Sequence, residues 1–250
     1  MNYNKPSIKK KREELLSTKK KARTTASAIT FRIILFLICA VLISGAGLLY
    51  GSFQGIIDSA PKDFSLEPKY SATIVYDDNN KVVQQLSDYS SNRIPVTYEE
   101  IPDNLKNAFI SIEDERFYEH DGIDFKGILR ALWTNIRRGS TSQGASTLTQ
   151  QLIKNNVFEA GGESNIIAKV KRKIQEQHLA IKAEKKFSKE DILTNYLNTI
   201  NLGKGTLGVE AAAKYYFSKS VKDLSLSECA VLAGITKNPT YLNPVDYPED

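Results

Sequence analysis

Hydrophobic and polar positions follow three successive patterns along the chain. Residues 33–50 carry no charged side chain, and about 18 such residues in a row are enough for a helix that crosses a bilayer. Residues 73–77 and 81–86 are short runs rich in β-branched and other apolar residues, separated by polar residues 78–80, which predicts a β-hairpin. After Pro102 the apolar residues recur every three or four positions, so the remainder is predicted to be mostly α-helical.

Three stripes of apolar residues at helical spacing follow after Pro102. They consist of Leu105, Ala108, Phe109 and Ile112, then Ile128, Leu132 and Ile136, and finally Ile167, Val170, Ile174 and Ile181. Ser188 with Asp191, and Ser225 with Glu228, have the spacing of capping boxes before apolar runs. Ser164 is predicted to cap the long helix that carries the third stripe.

The net charge of +5 is distributed unevenly. Residues 1–32 contain ten Lys or Arg against Glu13 and Glu14, so the net charge there is +8 and −3 remains for the rest. The basic character belongs to a tail, and we expect no nucleic-acid partner. A basic tail before an uncharged run predicts an uncleaved membrane anchor. The alternatives fit less well, because a signal peptide has a shorter apolar core and a buried helix has a polar stripe.

The anchor sets an expected topology and domain order. Basic residues stay in the cytoplasm, so we expect a single-pass, type II protein of the cell membrane with its C-terminal part outside the cell. The predicted domains are a basic cytoplasmic tail at 1–32, a transmembrane anchor at 33–57, a linker with the β-hairpin at 58–93, and a helical domain at 94–250. Trp133 beside Arg137 and Arg138 also suits a helix that lies among lipid headgroups.

Cysteine and histidine usage predicts neither a disulfide nor a metal centre. Cys39 lies in the apolar run and Cys229 in a predicted helix, so both are read as small buried apolar residues. His120 and His178 have no cysteine near them in the sequence, and this spacing does not match a zinc site.

The first group of residues that indicates chemistry is EDERFYEHDG at 113–122. Glu113, Asp114 and Glu115 are consecutive, so on a helix they point about 100° apart and cannot all face one substrate. The first apolar stripe runs up to Glu113, which places that side chain beside a buried surface. A carboxylate in such a setting is a competent general base. A solvated acidic helix end is the alternative.

The second group is GASTLTQQLIKN at 144–155. It has the pattern of a helix start, with Ser146 or Thr147 as the cap. Gln150, Gln151 and Lys154 fall on or near the side opposite the apolar residues, and Gln150 and Lys154 are one turn apart. Two adjacent amides beside a lysine indicate a site for a polar, anionic ligand.

The third group is a cluster of cations followed by an acid. Lys169, Lys171, Arg172 and Lys173 place four positive charges in five residues, with Glu176 one turn after Arg172. An ordinary surface ion pair between Arg172 and Glu176 is one interpretation. A phosphate or pyrophosphate site is the other, favoured because the surrounding domain is acidic.

These three groups, in this order, closely resemble the first three motifs of glycosyltransferase family 51, the peptidoglycan polymerases. Similarity to the fourth and fifth motifs follows in DILTNYLN at 191–198 with Gly203, and in AVL at 230–232 with Pro239, Tyr241 and Pro244. The resemblance covers about residues 94–244. It implies a mostly α, lysozyme-like glycosyltransferase domain, with a small β-hairpin near the membrane and a single transmembrane helix before it.

The resemblance also implies roles for individual residues. Glu113 matches the general base, and Glu176 matches a second catalytic glutamate that assists the leaving group or a divalent ion. The substrate contacts implied in this way are Asp114, Phe117, His120, Arg130, Ser146, Thr147, Gln150, Gln151, Lys154, Asn155, Arg172 and Lys173. No residue is assigned to a resident metal, and Mg²⁺ or Mn²⁺ enters only as a candidate through Glu176.

The implied substrate is lipid II, a disaccharide-pentapeptide on undecaprenyl pyrophosphate, which is polymerised into β-1,4-linked glycan strands during cell wall synthesis. The implied partners are the growing lipid-linked chain and membrane lipids, with cell-wall synthesis or division proteins as further candidates. A lysozyme-like glycan hydrolase and a non-catalytic membrane anchor that binds cell-wall precursors are the alternative hypotheses.

Some features depart from the family pattern or narrow the resemblance. Asn201 and Leu202 stand where many members have an aromatic pair, and the chain ends six residues after Pro244, so a truncated domain is expected. A transpeptidase module carries the patterns Ser-x-x-Lys and Lys-Thr-Gly. The first occurs in the basic tail, at residues 7–10 and 17–20, and the second is absent. Because residues 73–86 resemble class A penicillin-binding proteins, we expect an N-terminal part of such a protein.

Overall fold

The computed structural model describes residues 5–68, 73–79, 81–86, 92–139, 144–158 and 165–248. The chain divides into two compact units, residues 1–58 and residues 59–250. In the first unit, helix α1 spans Lys5–Asp58. Its part Ile29–Asp58 is the one helix among the described residues that is long and apolar enough to cross a membrane, as the uncharged run predicted.

The second unit is mostly helical, which confirms the predicted class. Its elements are β1 Thr73–Tyr76, β2 Val82–Leu86, α2 Asp103–Glu113, α3 Phe125–Arg138, α4 Leu148–Val157, α5 Ile166–Lys186, α6 Lys189–Leu197, α7 Val209–Phe217, a 3₁₀ turn at Val221–Asp223, and α8 Leu226–Ile235. Strands β1 and β2 form a two-stranded sheet. The helices and the loops between them form the site described below.

The predicted hairpin is confirmed, with each strand one residue shorter than expected. Strands β1 and β2 are antiparallel, with Thr73 opposite Leu86 and an irregularity in register between Val75 and Tyr76. The carboxylate of Asp77 accepts the backbone N–H groups of Asn79 at 2.9 Å and of Lys81 at 2.8 Å. This local bonding explains the turn. Asn80, predicted as part of the turn, lies outside the described residues.

Helix α4 lies at the centre of the second unit and packs against α5 and α6, while α2 packs against α8. The fully buried apolar side chains from these helices include Leu105, Phe109, Leu148, Leu152, Ile153, Leu179, Leu193, Tyr196 and Leu232. Because α4 is enclosed, even its polar residues Thr149 and Gln150 are buried. The side chains of these two residues must therefore bond to other protein groups.

Among the described residues, most of the predicted stripe on α3 and the beginning of the stripe on α5 are exposed. In α3 only Gly127 and Ala131 are buried, whereas the exposed large apolar residues are Phe125, Leu129, Leu132, Trp133 and Ile136. Ile167 and Val170 at the start of α5 are exposed as well. Periodicity correctly predicts the helix and its apolar face, but it does not say what covers that face.

The helix starts follow the sequence with one correction. Thr147 caps α4 by accepting from the N–H of Gln150, and Ser188 and Ser225 form the predicted capping boxes. Helix α5 is capped by Asn165, whose side chain accepts from the N–H of Ile167, rather than by Ser164, which lies outside the described residues. Asn and Ser cap equally well, so the sequence alone did not separate neighbouring candidates.

Residues 59–68, at the start of the segment predicted as a linker, contribute to the core of the second unit. Helix α1 continues to Asp58. In the second unit, Ala60 and Leu66 are buried in the hydrophobic core. The side-chain amide of Asn156 donates to the carbonyl of Leu66 at 2.5 Å, so this segment is attached directly to α4.

Candidate active site

Glu113, the residue predicted as the general base, ends α2 and is half-buried. Its two carboxylate oxygens are held by different elements. Gln151 in α4 donates its amide to Oε2 at 2.7 Å, and the hydroxyl of Thr236, directly after α8, lies 2.6 Å from Oε1. Both neighbours are neutral. The carboxylate is thus fixed in direction without an ion pair among its described contacts.

Asp114 is buried and faces away from Glu113, into the start of α4. Its carboxylate oxygens lie 3.0 Å from Nε2 of His120, and Oδ2 accepts the N–H of Leu148 at 3.0 Å. Nδ1 of His120 accepts the N–H of Gly122 at 3.2 Å, which leaves Nε2 to carry the proton toward Asp114. An acidic group at a helix N-terminus is stabilised by the helix dipole. Asp114, held by His120, therefore connects the first motif to the start of α4.

The end of the first motif is fixed by a glycine. Gly122 has φ +91°, and a Cβ there would meet the backbone of Ala180 in α5 at 2.7 Å. Its carbonyl accepts the hydroxyl of Thr147 at 2.8 Å and the amide of Gln150 at 3.1 Å. Gly122 therefore connects the first motif with the second and allows α5 to approach.

The cationic motif meets the second motif through one lysine. Nζ of Lys173 donates to Oγ of Ser146 at 2.8 Å and to Oε1 of Gln150 at 3.1 Å, and lies 3.3 Å from Oε2 of Glu176. Arg172 pairs with the other oxygen of Glu176. The Glu176 side chain is 2% exposed, so this second glutamate is neutralised by two cations.

A further ionic network borders the first motif. Arg116 pairs with Asp124 through contacts as short as 2.6 Å, and Glu115 pairs with Arg130 and with Arg116. The guanidinium of Arg116 lowers the pKa of Asp124, and Arg130, followed by Arg116, lowers the pKa of Glu115. Asp124 also caps α3 by accepting the N–H of Gly127 at 2.9 Å. Asp124 and Glu115 are therefore held as anions by the neighbouring arginines.

Some of the predicted residues line a cleft of about 290 Å³, but Gln150, Gln151, Arg172, Lys173 and Glu176 are not part of its lining. Its lining includes Glu113, Asp114, Glu115, Arg116, Arg130, Ser146 and Thr147, together with Lys237, which the sequence did not single out. Lys237 is exposed and follows Thr236 after α8. A carboxylate with a fixed direction and several cations therefore border one cavity. This arrangement suits a substrate that carries an anionic group at one position and gives up a proton to the carboxylate at another.

Comparison with known proteins places this arrangement in a family. A family model described as Transglycosylase matches residues 79–250. The chain belongs to the transglycosylase family. Among its relatives, penicillin-binding protein 1A of Clostridium tetani is 46% identical over 232 residues, which is 89% of this chain and 28% of that protein. Penicillin-binding protein 1F of Bacillus subtilis is 42% identical over 180 residues, 72% of this chain and 24% of that protein.

Family membership confirms the resemblance and agrees with the lysozyme-like, mostly helical class predicted for this transglycosylase. Penicillin-binding protein 1A of Clostridium botulinum gives the same result, at 45% identity over 233 residues, 90% of this chain and 27% of that protein. The chain thus spans less than a third of the length of the curated relatives that it matches.

Some residues predicted as substrate contacts in this transglycosylase lie outside the cleft. Phe117 is fully buried, with Nζ of Lys189 4.4 Å from its ring centroid. His120 is buried and bonded to the protein through both ring nitrogens. Lys154 is exposed and Asn155 half-exposed on α4. Their roles toward substrate remain predictions, and for Phe117 and His120 the contacts indicate support of the site.

Sequence reasoning identified Gln151 beside Glu113 but assigned no role to Tyr196 or Thr236. Tyr196, quoted only as part of the fourth motif, is fully buried and its hydroxyl lies 3.5 Å from Oε1 of Gln151. Burial, and then the charges of Glu113 and Asp114, raise the pKa of Tyr196 well above its ordinary value. Tyr196 therefore stays a hydrogen-bond donor, and the available signal for it was a polar aromatic residue in an apolar helix.

The surroundings of Glu176 do not suit a divalent cation. Its carboxylate is already engaged by Arg172 and Lys173, whose positive charges would repel a metal ion. Within the described part of the chain, no three His, Cys, Asp or Glu side chains are grouped so that they could hold a metal. The donor set at Glu176 is therefore fitted to an ion pair.

Proposed function

We propose that this domain is a peptidoglycan glycosyltransferase that polymerises lipid II into β-1,4-linked glycan strands and releases undecaprenyl pyrophosphate. One observation carries the proposal. The Glu113 carboxylate is oriented by two neutral donors, and cations line the same cleft. Family membership supports the same activity. The substrate and the activity of the longer protein follow from this assignment and are part of the proposal.

In the proposed reaction, Glu113 accepts the proton of the 4-hydroxyl of the acceptor N-acetylglucosamine. The freed oxygen attacks C1 of the lipid-linked donor chain from the side opposite the pyrophosphate, so the new bond has inverted configuration. The C1–oxygen bond to the pyrophosphate breaks, and its electron pair leaves with the diphosphate. The proton remains on Glu113 until water removes it.

The leaving group explains the charge of the site. A pyrophosphate leaves as a stable anion, so it needs cations such as Arg130, Arg172 and Lys173 rather than a proton donor. We assign Lys154 on α4 to the same diphosphate. Gln151 and Asn155 are proposed to contact the sugars and phosphates, with Ser146 and Thr147 at the helix start. Gln150 is buried and bonded to Gly122 and Lys173, so it is proposed to hold the cationic motif in place.

The hydrolase alternative is disfavoured by the state of the second glutamate. A glycosidase needs one carboxylic acid that donates a proton and a second carboxylate opposite it. Glu176 is buried, and its two oxygens are engaged by Arg172 and Lys173, so it is not placed as an acid opposite Glu113. Glu176 is therefore assigned to holding the cations in place.

Membrane attachment is supported by two separate features. Helix α1 contains the apolar span Ile29–Asp58, and α3 exposes a face of large apolar residues that includes Leu129 and Trp133. We propose that α3 lies against lipid, which keeps the polyprenyl tails of both substrates in the bilayer. With basic residues at 9–12 and 19–23 in the cytoplasm, the catalytic domain is outside the cell. Cell-wall synthesis and division proteins are the proposed protein partners.

Incubation with lipid II and, separately, with finished glycan strands tests the proposal. We expect polymer from lipid II and no fragments from the strands. Fragments without polymer would instead establish a hydrolase, and lipid II binding that never leads to turnover would establish a non-catalytic anchor.

A further inference from the structure

We propose that Thr236 is a positioning residue that directs the Glu113 carboxylate and changes its hydrogen-bond partner when Glu113 takes up the proton. The inference rests on the proposed function of Glu113 as general base. Thr236 lies 123 positions after Glu113 in the sequence, and the sequence motifs gave it no role.

The first observation is that Thr236 is itself firmly held. It caps the C-terminus of α8, where its backbone N–H bonds to the carbonyl of Ala233 and the next N–H, that of Lys237, bonds to the carbonyl of Gly234. The other end of α8 is fixed by the capping box of Ser225 and Glu228. Because α2, which ends at Glu113, packs directly against α8, the hydroxyl and the carboxylate meet on two rigid elements.

The second observation concerns the proton count. Oγ1 of Thr236 lies 2.6 Å from Oε1 of Glu113 and 2.7 Å from the carbonyl oxygen of Ala233. A threonine hydroxyl has one proton, so it cannot donate to both acceptors while Glu113 is ionised. Once Glu113 is protonated, its O–H donates to Oγ1, and the hydroxyl of Thr236 donates to Ala233.

Both short contacts are therefore complete hydrogen bonds only after proton transfer. Before transfer, the hydroxyl donates to the charged oxygen and orients it. After transfer, the same atom accepts from the new acid. Thr236 thus has a bonding role in each state without adding a charge that would hold Glu113 in its ionised form.

The third observation is that the opposite oxygen is fixed from the other side. Gln151 donates to Oε2 at 2.7 Å, and the hydroxyl of Tyr196 lies 3.5 Å from Oε1 of Gln151. Because the hydroxyl of Tyr196 donates to this oxygen, the amide nitrogen of Gln151 must face Glu113. With Thr236 holding Oε1, rotation of the carboxylate would break a hydrogen bond at each oxygen.

Three variants of the full chain, in detergent with lipid II as substrate, test the inference. Thr236→Val keeps the branched shape and removes the hydroxyl, so we expect kcat to fall about 10-fold with little change in KM, from the loss of a hydrogen bond to a charged group. Thr236→Ser retains Oγ and is expected to recover most of the rate. A Thr206→Val control removes a buried hydroxyl that bonds to the carbonyl of Gly203, away from Glu113, and should leave kcat near that of the parent.

A kcat of Thr236→Val equal to that of the parent, or a serine variant as slow as the valine variant, would overturn the inference. A change confined to KM would do the same, because it would place Thr236 at substrate binding. Failure of the parent to polymerise lipid II would instead contradict the proposed function.

A second measurement does not depend on turnover. Thermal unfolding of Thr236→Val, Glu113→Ala and the double variant forms a double-mutant cycle. We expect the drop in Tm caused by Thr236→Val to shrink when Glu113 is already absent. Strictly additive shifts would show that the two side chains do not interact, whether or not the chain is active.

Discussion

The two glutamates that the sequence marked as catalytic are held in opposite ways. Glu113 is half-buried and contacted by a neutral amide and a neutral hydroxyl. Glu176 is almost completely buried and paired with Arg172 and Lys173. Neutral donors orient a carboxylate while it can still accept a proton, whereas adjacent cations hold it as an anion. The same side chain is thereby suited to a base in one region and to an ion-pair anchor in the other.

Removing the base should give the largest effect. Glu113→Gln cannot accept a proton at neutral pH, and loss of general-base catalysis typically costs about 10²–10⁴-fold in rate. The amide still accepts from Gln151 and can donate to Thr236, so we expect lipid II binding and Tm to stay close to those of the parent. Initial rates of lipid II polymerisation and thermal unfolding measure both properties.

The control for this variant is Glu119→Gln, the same change at an exposed position of the first motif, which should polymerise normally. If Glu113→Gln worked within a few-fold of the parent, Glu113 would not be the base. Asp114 and Glu176 would then be the next carboxylates to test.

The same substitution at the other glutamate should mainly affect stability. Glu176→Gln leaves Arg172 and Lys173 without their counter-charge, and we expect a loss of about 1–3 kcal/mol, below the range for fully buried pairs because Lys173 keeps access to water. Thermal or denaturant unfolding detects the change. Unchanged stability together with a rate as low as that of Glu113→Gln would assign Glu176 a direct chemical role instead.

A cation that does not pair with Glu176 separates anion binding from stability. Lys154 is exposed on α4, so Lys154→Ala should leave Tm unchanged while affinity for undecaprenyl pyrophosphate falls about tenfold, the effect of losing one charge-assisted contact. Lys222→Ala removes an exposed lysine from the 3₁₀ turn and is the matched control. Equal affinity of both variants would remove Lys154 from the diphosphate site.

The smallest effect concerns Asp124, a carboxylate held by a cation as Glu176 is. Arg116 lowers its pKa below the ordinary 3.8, so the pair stabilises the fold above about that pH, and this contribution is lost as pH falls through the lowered value. Asp124→Asn should therefore lower Tm at neutral pH and give a shallower decline of Tm in acid. Asp223→Asn, an exposed control, should follow the parent. Parallel curves for Asp124→Asn and the parent would contradict the linkage.

The sequence by itself determined what depends on neighbouring residues. Capping boxes at Ser188 and Ser225, the hairpin, the uncharged span and the helical stripe that leads to Glu113 were all predicted, because their physical causes lie within one or two turns of chain. The order of the motifs also identified the family. Even so, Ser164 was predicted where Asn165 caps α5, since adjacent polar residues compete for one local role.

Only the tertiary structure decided which distant groups meet. Thr236 reaches Glu113 because α8 packs on α2, and Lys173 reaches Ser146 because α5 packs on α4. Likewise, the apolar face of α3 looks in sequence like any core stripe, yet no other part of the described unit covers it. Periodicity and spacing describe one element at a time. The partner of each side chain, and hence whether a glutamate is a base or an anchor, is set by how separate elements pack.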